Sequence, residues 1–141
     1  MKNKFLLFLA LLFCFNTSAQ DSRDDWSKKL KQPNLNIEGL TAHLASTFNK
    51  NKGEKLDSNA ISLGATAVRR NIYIDNQFTN QPTESQIKDV KAMMPKIVSQ
   101  SVCDAPVMYV LVKEHGVTVS YRWFDKNMKE LMVTLVDSKN C

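Results

Sequence analysis

The part of this sequence that admits the fewest folds is its last third, "VMYVLVKEHGVTVSYRWFDKNMKELMVTLVDSKNC", residues 107–141. Three runs, 107–113, 117–124 and 129–136, are rich in Val, Tyr, Phe, Trp and Thr, side chains that suit a pleated, half-buried surface. Only "EHG" and "DKNM" separate them, and connections that short join neighbouring antiparallel strands. A two-residue turn at His115–Gly116 sets Val112 against Val119, Val110 against Tyr121 and Met108 against Trp123. A three-residue turn at 126–128 sets Trp123 against Leu131, Tyr121 against Val133 and Val119 against Leu135. Both registers gather one apolar face, so an antiparallel three-strand meander is expected. A slip of one residue would turn each apolar set to the opposite face.

The same registers define a second face. It holds Val107, Tyr109 and Leu111, then Thr118, Ser120, Arg122 and Phe124, then Glu130, Met132, Thr134 and Val136. Half of it is apolar, more than a sheet face touching only water usually carries, so something should cover part of it. Two covers are open: a helix of the chain over residues 37–50, or a partner protein or ligand. On the second reading the contact residues are Tyr109, Arg122, Phe124 and Met132, since aromatic and Arg side chains dominate interface hot spots.

Upstream, Ile37, Leu40, Leu44 and Phe48 recur at helical spacing and predict a helix over 37–50, ended by "NKNKG". Residues 64–75, "GATAVRRNIYID", alternate as a half-buried strand, with Val68, Ile72 and Ile74 on one side. Pro82 and Thr83 open a second helix, with Thr83 and Gln86 placed as a capping box. Ile87, Val90, Met94, Ile97, Val98 and Val102 are its stripe, and Pro95 should kink or divide it near Met94. The expected fold is α+β: a four-stranded, mostly antiparallel sheet with the C-terminal meander and two main helices packed on it. No internal repeat or second domain is visible.

The beginning of the chain sets the compartment. Lys2 and Lys4 precede an apolar core, Phe5 to Phe15, and Thr17 and Ala19 supply the small residues a signal peptidase reads, predicting a signal peptide over 1–19. Its core of about 11 residues is short of the roughly 20 that cross a bilayer. Cys14 follows Leu12 and Phe13, not the small residue a lipobox requires. A periplasmic or secreted protein with no membrane anchor after cleavage is therefore expected. Residues 20–35, polar and of mixed charge, read as a flexible lead-in to a single domain over 36–141.

Cleavage leaves Cys103 and Cys141, an even number in an oxidising compartment, and a disulfide between them is the default reading. It would close a loop of about 39 residues and contribute roughly 4 kcal/mol in the chain-entropy model. The meander resists it, because Cys103 and Cys141 then start from opposite ends of the sheet, beyond the roughly 7 Å that a disulfide spans between α-carbons. Loss of Lys2 and Lys4 lowers the net charge from +5 to +3, with basic residues dispersed, which does not suggest nucleic acid as a partner.

No catalytic constellation emerges. His43 falls on the exposed side of a helix and His115 in a turn; neither has ligand or base partners at a recognisable spacing. No nucleophile elbow, zinc motif, C-x-x-C or Gly-rich phosphate loop occurs, and no cofactor or metal is expected. The order of parts, "GEKLDSNAISLGATAVRRNIYI" followed by "VCDAPVMYVLVKEHGVTVSYRWFDKNMKELMVTLVDSKNC", resembles small exported bacterial α/β proteins such as the quorum-sensing-regulated virulence factor family. More distantly it resembles the type II secretion pilotins. The resemblance spans about residues 54–141 and implies export, a cysteine pair and a binding or accessory role, with an association with virulence. The leading expectation is an exported, non-catalytic binding protein of a bacterial envelope or secretome whose partner is another protein. The alternative is a periplasmic inhibitor or immunity protein that plugs a toxin or hydrolase with a loop over 113–117 carrying Glu114 and His115.

Overall fold

A computed structural model describes residues 22–141; the expected signal peptide lies outside the described residues. Ser22 caps α1 (Arg23–Leu30), where Ser22 Oγ accepts from the Asp25 amide at 3.2 Å and the Asp25 carboxylate accepts from the Ser22 amide at 3.0 Å. That second bond holds the Asp25 carboxyl below the usual carboxylate range. Trp26 and Leu30, four residues apart, face the domain, Leu30 buried and Trp26 half-buried, and the helix packs on the last helix of the chain. The stretch 20–35 expected as a flexible lead-in therefore contains a docked helix. Its charged residues hide a two-residue apolar stripe too short to show as periodicity.

Helix α2 (Ile37–Asn49) is capped by Asn36, whose Oδ1 accepts from the Gly39 amide at 2.9 Å, and buries Ile37, Leu44, Ala45 and Phe48. After a short β1 (Lys55–Asp57) come β2 (Ala60–Val68) and β3 (Asn71–Phe78). The alternation read as one strand over 64–75 belongs to two. Val68 pairs with Asn71 across a two-residue turn, Arg69–Arg70, that lacks the Gly, Asn or Pro by which a turn is normally recognised. Arg69 takes a left-handed φ of 55°, uncommon for a side-chain-bearing residue, and the Thr41 hydroxyl donates to its carbonyl at 2.6 Å.

One glycine is required by close approach. Gly64, at φ +89° beside an irregularity in the β2–β3 register, lies where an added Cβ would collide with Asn49 Oδ1. Asn49 uses the space to bind both backbone groups of Ala65, each at 2.8 Å, locking the end of α2 onto β2.

Helix α3 (Glu84–Asp104) carries the expected capping box: Thr83 Oγ1 accepts from the Gln86 amide at 3.2 Å, and Gln86 Oε1 from the Thr83 amide at 2.8 Å. Pro95 does not divide it; the helix runs through 21 residues, with Pro95 on its exposed side and Met94, Val98 and Val102 buried.

The largest correction concerns 107–113, expected as the first strand of the meander. Residues 106–115 form α4 (Pro106–His115), with Pro106 in its first turn and Gly116 ending it at φ 65°. Val107, Met108, Val110, Leu111 and Val112 are all buried. A short helix enclosed on nearly every side has the same continuous apolar run as a buried strand, so periodicity could not separate the two.

The chain then enters β4 (Thr118–Phe124) and, after a turn, β5 (Glu130–Val136). Among the described residues the sheet has five strands in the order β1-β2-β3-β4-β5, not four. It is mixed: β3 and β4 run parallel, with α3 and α4 forming the crossover that parallel neighbours need. The described chain has four helices, not two, and all four contribute to one apolar cluster with the buried face of the sheet.

The β4–β5 register differs from expectation by one residue. Trp123 pairs with Met132, Tyr121 with Thr134 and Val119 with Val136. The turn keeps its place, but Met128 takes a φ of 64° and the register shifts between Trp123 and Phe124, absorbing one residue of β5. Met132, Thr134 and Val136 therefore turn into the core, whereas Val133 and Leu135 stand outside, 48% and 51% exposed.

Tyr121 lies at the centre of the core, and burial pushes its phenol well above its ordinary range. Unfolded, that phenol ionises near pH 10; folded, it keeps its proton. Its contribution is complete below about pH 10 and falls as pH rises, by up to about 1.4 kcal/mol per pH unit. Urea unfolding at pH 9, 10 and 11 should show this slope, and Tyr121→Phe should flatten it; equal slopes would place the phenol in water.

Candidate functional site: the open face of the sheet

Helices α2, α3 and α4 lie on the face lined by Ile72, Ile74, Val119, Tyr121, Trp123, Met132 and Val136, all buried. The alternate residues of the same strands point the other way and are half-buried or exposed, apart from Ser120, which is 7% exposed. Helix 37–50, one of the two covers considered for the second face, packs instead with β2 and β3 into the common core. None of the four described helices covers the outer face.

Its centre is built by the parallel register of β3 and β4, which sets Asp75 beside Arg122, Tyr73 beside Ser120 and Gln77 beside Phe124. The Asp75 carboxylate accepts two bonds from Arg122, from Nε at 2.7 Å and from a terminal nitrogen at 2.8 Å. This paired geometry fixes the guanidinium plane. The hydrogen bonds from Arg122 to Asp75 push the guanidinium further above its already high pKa, so its charge is permanent. The guanidinium carbon lies 4.9 Å from the Tyr73 ring centre and 5.6 Å from that of Phe124, within reach of both π-systems. Val133, paired with Arg122, and Leu135, paired with Ser120, continue the surface as an apolar rim.

Of the four residues expected to make one contact surface, the structure brings together two. Arg122 and Phe124 share the open face. Tyr109 is on α4, with the Arg23 guanidinium 4.0 Å from its ring centre, because its segment is helical. Met132 is 7% exposed in the core, because of the register shift. Tyr73 and Asp75 were missed as site residues; their alternation on the polar side of 64–75 was visible, but not the strand they would adjoin.

The loop over 113–117 is not a hairpin tip. Lys113 and Glu114 end α4, the Glu114 carboxylate accepts from the Ser27 hydroxyl at 2.8 Å, and the His115 carbonyl accepts from Arg70 at 2.9 Å. His43 is exposed on α2, remote in sequence and element from His115. Among the described residues no group of three or more His, Cys, Asp or Glu could hold a metal ion, and no helix is long and apolar enough to cross a membrane. A surface depression over α3, lined by Glu84, Ile87, Lys88 and Lys91, converges no nucleophile and base.

The structure places Cys103 and Cys141 with α-carbons 5.4 Å apart, at disulfide-bonding distance. The obstacle read from the sequence disappears because α4, not a strand, follows Cys103 and carries the chain across the sheet.

No protein-family model matches the chain, and no curated protein matches it in sequence. Solved structures match its fold. A candidate secreted protein from Pseudomonas aeruginosa aligns with a TM-score of 0.65 at 10% identity, over 74% of this chain and 92% of its own. The type II secretion system pilotin AspS from Vibrio cholerae aligns at 0.55 and 16% identity, over 75% of this chain and 93% of its own. The fold is one shared with pilotins. A pilotin of the type 2 secretion system of Vibrio vulnificus, EpsS, agrees at 0.52 and 10% identity, over 84% of this chain and 96% of its own. At such identities the likeness is one of architecture.

Proposed function

We propose that this chain is an exported, non-catalytic accessory protein of a bacterial envelope or secretome that binds another protein through the open face of its sheet. One observation carries the reading: Arg122, held flat by Asp75 between Tyr73 and Phe124, stands on a face that none of the described helices covers. A guanidinium pre-positioned beside aromatic rings loses little side-chain freedom on binding, which is why Arg and Tyr anchor interfaces. The shared fold of a secretion-apparatus pilotin and a candidate secreted protein supports an envelope role. A link to virulence rests on the sequence resemblance alone. The inhibitor reading loses its main premise, since 113–117 is tied down at a helix end.

A photo-crosslinking side chain placed at Phe124 should join the protein to a discrete envelope partner in its native cell. The same group at Ser46, exposed on α2, should not. Arg122→Ala should weaken that complex about 30-fold, the effect of losing about 2 kcal/mol at a hot spot. Identical adduct patterns from Phe124 and Ser46 would remove the sheet face from consideration.

A further inference from the structure

The β2–β3 hairpin turns through two arginines, one of them at a backbone position that glycine usually fills. Val68 pairs with Asn71, so Arg69 and Arg70 are the two central residues, and Arg69 takes the left-handed φ of 55°. A side chain there costs folding free energy that glycine would not. Three other elements hold the turn in this shape. The buried Thr41 hydroxyl of α2 donates to the Arg69 carbonyl at 2.6 Å, the Thr118 amide at the start of β4 donates to the Arg70 carbonyl at 2.9 Å, and Arg70 donates from a terminal nitrogen to the His115 carbonyl, at the end of α4, at 2.9 Å. Backbone strain enforced by the surrounding structure is characteristic of binding positions. We propose that Arg69 and Arg70 form a docking tip for an acidic segment of another protein, each guanidinium taking a carboxylate.

Charge selects the occupant. The other two arginines of the chain are already engaged, Arg122 with the Asp75 carboxylate and Arg23 with the Cys103 carbonyl and the Tyr109 ring. Arg69 and Arg70 are both exposed, and among the described residues no carboxylate lies within ion-pair distance of either. Glu38, three residues before Thr41 and the one acidic residue of α2, makes no ion pair with them. Two adjacent guanidiniums without counter-charges present planar sets of N–H donors, the geometry that pairs bidentately with carboxylates. An anionic membrane surface is a poorer match, because recognition there takes clusters of about four to eight basic residues and this tip has two. Val68, 56% exposed beside the turn, adds an apolar contact. The segment that fits best therefore sets an apolar residue next to acidic ones.

The inference goes beyond the proposed use of the open face, and its test leaves that face unaltered. In the full mature chain, NMR signals of the arginine Nε–H groups are followed during titration with an end-blocked hexapeptide that repeats one valine and two glutamates. The Arg69 and Arg70 signals should move and saturate while those of Arg23 and Arg122 stay in place. Raising salt from about 50 mM to about 500 mM should weaken binding several-fold, as expected for exposed ion pairs. Arg69→Gly should weaken it about fivefold, the effect of losing one such pair, with a urea midpoint equal to the parent's or higher because glycine accepts the left-handed backbone. Binding lost without any loss of stability is a result that a merely structural turn would not give. Equal movement of all four signals, no movement at all, or unchanged affinity in Arg69→Gly would overturn the proposal. Movement of Arg69 and Arg70 with vesicles of anionic phosphatidylglycerol but not with the peptide would overturn it in favour of a membrane surface.

Discussion

A double variant, Cys103→Ala with Cys141→Ala, should unfold with about 4 kcal/mol less free energy than the parent, the figure given by the chain-entropy model for residues 38 apart in sequence. For a domain of this size that is a large part of total stability. The bridge matters in the folded state as well, because it anchors a tail with few other ties. Residues 137–141 hold an Asp137–Asn140 turn and one bond from the Lys113 ammonium to the Ser138 carbonyl at 3.0 Å. The other cysteine ends α3, where the Cys103 carbonyl accepts from Arg23 of α1 at 2.7 Å. Urea unfolding with and without reductant should separate the two proteins, since reductant should shift the parent midpoint down and leave the variant unmoved. The intact mass of protein recovered from the periplasm should begin at Gln20 and be two hydrogens lighter than the reduced chain. Equal midpoints, or two thiols alkylated without denaturant, would rule the bridge out.

The second large effect tests the β4–β5 register. Met132→Ala should cost about 2–5 kcal/mol, the range for emptying a buried apolar site, and Trp123→Ala, its register partner, about 3–5 kcal/mol. Val133→Ala, one residue away but on the open face, should stay within about 0.5 kcal/mol. The register expected from turn length alone reverses the order of Met132 and Val133. Chemical denaturation of the three variants decides between them, and a Val133 cost above that of Met132 would exclude the observed pairing.

Much of the fold was legible wherever a local signal fixed a local structure. The Thr83–Gln86 capping box, the stripe of α2, and β4 and β5 as strands each depend on side chains within a few residues of one another. Helix α4 was misread because its Val-rich run suits a strand by propensity. Yet Pro106 in the first turn, and Lys113 and His115 followed by Gly116 at the end, are helix punctuation and could have identified it. The turn at Arg69–Arg70 had no such marker. Its unusual backbone is supported by Thr41, from a different element, and no window of sequence around the turn contains that information.

Composition and spacing alone yield an α+β domain with two cysteines to pair, an expectation of export, no recognisable catalytic motif, and Arg122 and Phe124 on a common face, because alternation along one strand is a local property. They could not yield Asp75 and Tyr73 as neighbours of Arg122. That juxtaposition depends on β3 and β4 lying side by side in parallel, which requires the intervening α3 and α4 to cross the sheet and pack. Nor could they place Met132 inside and Val133 outside. A single residue absorbed at the end of β5 reverses every side chain beyond it, and the choice is made by which alternative fills the core beneath α3.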